Sequence, residues 1–124
     1  MIFLTLSDLL LIAHRILDSV EFRDVGLLES AIARPKTMIF GKFAYEDIYE
    51  QAAALVDSIV NNHALVDGNK RLGLAGLISF LGINGFRITC SQDAAFDFIM
   101  EIASSSVRDI KDLAKWIREN SAAY

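Results

Sequence analysis

Apolar residues return along this chain mostly at intervals of three and four, the period of helices packed on one side. Leu9, Ala13, Ile16 and Val20 form the first stripe, with Asp8, Arg15 and Asp18 on another face. Ser7 is expected to cap the helix they predict. A short second helix is expected from Gly26 to Ala33, ending near Arg34 because Pro35 disfavours helical geometry before it. From Pro35 to Tyr45 the pattern breaks, and the β-prone Thr37-Met38-Ile39-Phe40 ahead of Gly41 points to a small hairpin or flap. Glu46 to Asn61 reads as a clear helix whose apolar face is wide enough for contact on two sides.

Leu72 to Leu81 is apolar nearly all round and is expected to be the buried central helix. Gly73 and Gly76 inside it cost roughly 1 kcal/mol each against alanine, and their return is close approach of a neighbouring helix. Gly82-Ile83-Asn84-Gly85 should stop it. Phe86 to Thr89 is expected as a short strand, paired with the 37–40 segment. Ser91 should cap a helix carrying Phe96, Ile99, Met100 and Ala103 inward. Ser106, with Asp109 three residues on, resembles a capping box for a last helix that turns Ile110, Leu113 and Ile117 inward. Phe96, Phe98 and Trp116 are expected in the core. The expected fold is all-α: a compact helical bundle with a small β-hairpin, one domain over residues 1–124.

Composition narrows the function. A hydrophobic fraction of 53% argues for a well-filled core rather than disorder. The net charge of -4, with no long run of Lys or Arg, argues against direct nucleic-acid binding through a broad basic face. The single cysteine, Cys90, cannot form an internal disulfide, so a cytoplasmic location is expected. The apolar opening Met1 to Leu6 lacks the positive start of a signal peptide. The twelve-residue run Leu72 to Ile83 is too short for a hydrocarbon layer of about 30 Å, and no membrane association is expected.

The chemistry gathers in His63-Ala64-Leu65-Val66-Asp67-Gly68-Asn69-Lys70-Arg71. Singly these residues have ordinary readings: a histidine at a helix end is usually a cap or surface group, Asp-Gly-Asn is turn chemistry, and Lys-Arg is a solvated patch. Jointly they say more. If one helix ends near Asn62 and the next begins near Gly68, the loop aims the free N–H groups of the new helix at an anion. Lys70 and Arg71, about 100° apart around the helix axis, would grip different oxygens of a polyphosphate. Gly68 allows close backbone approach and Asn69 can donate its amide. Asp67 fits beside phosphates if Mg²⁺ lies between them. Zinc is poorly supported, since His63 and Asp67 lack further ligands and Cys90 is isolated. Histidine is the side chain suited to taking a proton from a hydroxyl near neutral pH. These residues point to phosphoryl or nucleotidyl transfer from a nucleotide to a hydroxyl.

The stretch resembles the Fic/Doc motif His-x-Phe-x-Asp/Glu-Gly/Ala-Asn-Gly/Lys-Arg. Lys70, where adenylylating Fic enzymes have glycine, is similar to the Doc branch, as are Gly26 to Ala31, Ala33-Arg34-Pro35 and Asn84-Gly85. The resemblance implies a Fic-fold helical bundle and a toxin of a toxin–antitoxin pair. It also implies a kinase that transfers the γ-phosphate of ATP to a threonine of elongation factor Tu and so arrests translation. His63 would then be the catalytic base, Asp67 the Mg²⁺-associated carboxylate, and Gly68, Asn69, Lys70 and Arg71 the phosphate-binding group. Two residues depart from the Fic pattern. Leu65 stands where the motif has phenylalanine, and Leu74 stands where Fic enzymes have a second arginine. No glutamate here has Ser or Thr four residues before it, the mark of self-inhibited Fic proteins, so inhibition is expected from a cognate antitoxin. The alternatives are a Fic-type protein adenylyltransferase and a non-catalytic helical binding module.

Overall fold

The computed structural model describes residues 1–104 and 109–124. Six helices appear among them: α1 (Leu6–Ile16), α2 (Gly26–Ala33), α3 (Ile48–Asn61), α4 (Asn69–Ile83), α5 (Gln92–Ser104) and α6 (Ile110–Glu119). A 3₁₀ turn at Arg34–Lys36 extends α2. The strands β1 (Met38–Ile39) and β2 (Lys42–Phe43) form an antiparallel hairpin. It is the expected flap, with Phe40 and Gly41 at its tip.

The ends of the helices follow their local chemistry. Thr5, not Ser7, caps α1: its hydroxyl accepts the Asp8 N–H at 3.1 Å, and the Asp8 carboxylate accepts the Thr5 N–H at 2.9 Å. Hydrogen bonding to its carboxylate, from the Thr5 backbone N–H first and the Thr5 side chain second, holds the Asp8 carboxyl below its ordinary range. A depressed folded-state value stabilises the fold above the ordinary carboxylate range, and that help is lost as pH falls through the folded value. Helicity of the wild type should therefore fall at acidic pH more than that of Asp8→Asn, as read by circular dichroism; equal losses would contradict the cap. α1 also ends earlier than its apolar stripe, at Ile16, so Val20 lies outside it. Asp47 caps α3 and Ser91 caps α5. Asp109 caps α6, while Ser106 lies outside the described residues.

The central helix is α3 rather than α4. Ile48, the run Gln51 to Val56 and the run Ser58 to Val60 are all buried, and α3 packs against α2, α4, α5 and α6. α4 buries Leu72, Gly73, Gly76, Leu77, Phe80 and Leu81, but Ile78 and Ile83 are exposed. Its all-round apolarity serves a core on one side and an open cleft on the other. The α3–α4 contact is close because Gly73 has no side chain: a β-carbon there would lie 2.6 Å from Val60 Cγ2. α5 buries Ala95, Phe98, Ile99 and Ile102, and Phe98 stacks on Trp116 with ring centroids 3.8 Å apart.

The strand β3 (Phe86–Ile88) pairs not with the 37–40 segment but with β4 (Ser121–Ala123), in the register Phe86↔Ala123 and Ile88↔Ser121. α6 returns the chain to that edge, and the alternating pattern of three residues carried no information about its partner. No helix among the described residues is long and apolar enough to cross a membrane.

Candidate active site

Between α3 and α4 the chain reverses in seven residues, and His63 adopts φ 55° to do it. Positive φ is uncommon outside glycine, although histidine is among the residues that tolerate it. The imidazole is left exposed, with no hydrogen-bond partner among the described residues. Ala64 and Leu65 then dip into the core, both buried. Leucine therefore fills the anchoring position that the Fic motif gives to phenylalanine.

The loop is fixed mostly by backbone. Arg23 and Asp24 N–H both donate to Ala64 O, at 2.8 and 3.0 Å, and Val66 N–H donates to Glu21 O at 2.9 Å. Phe22 and Leu65 form an isolated antiparallel bridge. Asn69 closes the loop from inside: its Oδ1 accepts Leu65 N–H at 3.0 Å and its Nδ2 donates to Leu65 O at 2.9 Å. Here Asn69 shapes the loop with the amide that the sequence assigned to a phosphate oxygen. Gly68 turns the chain into α4 at φ 96°, a conformation glycine reaches at little cost. Among the described residues no side chain caps α4, in contrast to α1, α3, α5 and α6. Its leading N–H groups are free to meet an anion.

The six residues singled out from sequence, His63, Asp67, Gly68, Asn69, Lys70 and Arg71, line one pocket of about 440 Å³. Its far wall is Val60 and Asn61 of α3 with Phe96 and Ala103 of α5. Phe96, expected in the core, is 47% exposed. The buried stripe of α5 is 95-98-99-102, and Phe96 with Met100 falls on the opposite side. The stripe expected inward, 96-99-100-103, is an equally complete i, i+3, i+4, i+7 series, so spacing alone does not choose between the two. Lys70 has no partner among the described residues. Arg71 donates through Nη2 to Ile16 O at the end of α1, at 2.7 Å, leaving its other donors available. Asp67 Oδ1 accepts Gly68 N–H at 2.9 Å, and its second oxygen is unpartnered among the described residues.

Behind Asn61 lies a polar relay. Asp57 accepts from Asn61 Nδ2 at 2.9 Å and pairs with Arg34 Nη1 at 2.8 Å. Burial works against the Arg34 charge, but the hydrogen bonds it donates to Asp57 and Tyr45 outweigh it and raise its basicity. The relay braces the pocket wall without entering the pocket.

A uncapped helix start, two cations, an imidazole and one carboxylate thus share a concave site. Residues 3–81 match the family model described as Fic/DOC family. The chain belongs to the Fic/DOC family. Toxin Doc of Mycolicibacterium smegmatis is 44% identical to it over 87 residues, which is 68% of this chain and 67% of that protein. The Fic/DOC match covers α1 through most of α4, and so includes every motif residue; the α5 wall with Phe96 lies beyond it.

Asp67 can hold Mg²⁺ as one carboxylate ligand among phosphate oxygens and waters, the usual habit of that ion. Among the described residues no cluster of three His, Cys, Asp or Glu could hold a metal by protein ligands alone. The donor set fits an ion carried with a polyphosphate.

Proposed function

We propose that the chain is a Doc-type toxin kinase that transfers the γ-phosphate of ATP to a protein hydroxyl, with a threonine of elongation factor Tu as the acceptor. The observation that carries this reading is the meeting of His63 with the uncapped start of α4 and Lys70 in one pocket. Family membership and the 44% identity to a Toxin Doc support it. The α4 N–H groups, Lys70 and Arg71 bind the phosphate tail and offset its charge. Asp67 would hold Mg²⁺, which when bound neutralises charge on the phosphates. His63 takes the proton of the acceptor hydroxyl as its oxygen bonds to the γ-phosphorus, and the bond from that phosphorus to the bridging oxygen breaks, releasing ADP. Asn69 and buried Leu65 keep the imidazole and the helix start in register.

Leu74, in place of the second Fic arginine, lines an apolar groove with Ile16, Ala75, Ile78 and Phe96. Its lack of a further cation favours the kinase over adenylylation. The groove opens on Lys70 and Arg71 and fits the apolar face of an amphipathic helix, the form in which a cognate antitoxin would cover the site. The protein acts in the bacterial cytoplasm, and growth arrest follows from blocked translation.

Intact-mass analysis of elongation factor Tu after incubation with the chain, ATP and Mg²⁺ tests the reaction. The added mass of one phosphate is expected. Addition of a whole AMP would establish the adenylyltransferase instead, and an unmodified target would remove this acceptor.

A further inference from the structure

α1 ends against the motif. Its carbonyl at Ile16 takes the Arg71 hydrogen bond, and the next residue, Leu17, leaves the helix in an extended conformation at φ -111°, ψ 139°. Leu17 N–H still bonds Ala13 O at 3.0 Å, so the exit direction is fixed. The side chain is carried onto the phosphate turn: a β-carbon built on Gly68 would lie 2.8 Å from both Leu17 δ-carbons. The isobutyl group therefore fills the space into which a side chain at Gly68 would project. Glycine is free to leave positive φ for other conformations, and a wall on that side removes the space such a change would need.

We infer that Leu17, outside the motif, is a positioning residue that holds Gly68 at φ 96° and so keeps the leading N–H groups of α4 aimed into the motif pocket. It acts through Gly68 and touches no reacting atom. The inference rests on the reading of that pocket as a phosphate site, but the packing of Leu17 can be measured without any ligand.

The test uses the full chain with Leu17→Ala and Leu17→Met, read by amide hydrogen exchange and by calorimetric titration with pyrophosphate. In Leu17→Ala, exchange at Val66, Gly68 and Leu72 should rise about tenfold or more, while buried amides in the middle of α3 stay protected. Pyrophosphate affinity should fall about tenfold. Leu17→Met, which keeps the volume, should restore both. If Leu17→Ala does not fold, Leu17→Val carries the same comparison. Exchange that is unchanged at the turn, or that rises equally throughout the chain, overturns the inference, as does failure of methionine to rescue. Local exchange as expected in a protein whose wild type binds no pyrophosphate upholds the role of Leu17 and removes the phosphate reading.

Discussion

His63→Asn is expected to slow phosphoryl transfer by about 10²–10⁴-fold, the range that general-base help contributes, and to abolish growth arrest. Stability should not change. The imidazole is exposed and unpartnered among the described residues, and asparagine tolerates the positive φ at this position. Mg²⁺–ATP affinity should also be kept, because the proposed reading assigns the phosphates to the start of α4, Lys70 and Arg71. Rate, affinity and thermal melting on one preparation separate the roles. Loss of affinity together with rate would make His63 a binding group, and an unchanged rate would remove it from the mechanism. A binding module would keep its effect on growth in this variant.

The second large effect falls on stability. Gly73→Ala places a methyl group 2.6 Å from Val60 Cγ2 where α3 packs on α4. Overpacking of this kind costs about 1–3 kcal/mol, more than the roughly 1 kcal/mol gained from replacing a helical glycine. Gly82→Ala, in the same helix, meets nothing within 4 Å and should be neutral or stabilising by up to about 1 kcal/mol. Urea denaturation of the two variants gives the comparison. Because α3 and α4 flank the loop that carries His63 and Gly68, Gly73→Ala should also lower activity. Equal stability of the two variants would contradict the close approach that sets the spacing of the site.

Both predictions depend on features of unequal visibility in the sequence. The six site candidates could be read as a group because they lie within nine consecutive residues, where spacing alone places them on one loop and one helix start. The helices could be read because Leu9 and Ala13, or Ile48, Ala52, Leu55 and Ile59, keep the helical period. Gly73 announced a close contact but not its partner. What could not be read joins residues far apart. The backbone pairing of 21–24 with Ala64 and Val66, and of β3 with β4, uses N–H and C=O groups that every residue carries. The cap moved from Ser7 to Thr5 because both hydroxyl residues precede Leu9, and only Thr5 has Asp8 at the reciprocal position. Phe96 was misplaced because α5 carries two apolar stripes, and the sequence does not say which faces the core. α3 displaced α4 as the centre because an apolar helix can border an open cleft as well as a core.

Lys70 and the start of α4, without a partner or a side-chain cap among the described residues, describe a site in want of an anion. A titration with Mg²⁺–ATP, followed by the backbone amide resonances of the whole chain, addresses this directly. Saturable shifts should concentrate at Gly68, Asn69, Lys70 and Arg71, with His63 beside them, and weaken in Lys70→Ala. No binding, or shifts gathered on the β1–β2 hairpin or the β3–β4 edge, would contradict it.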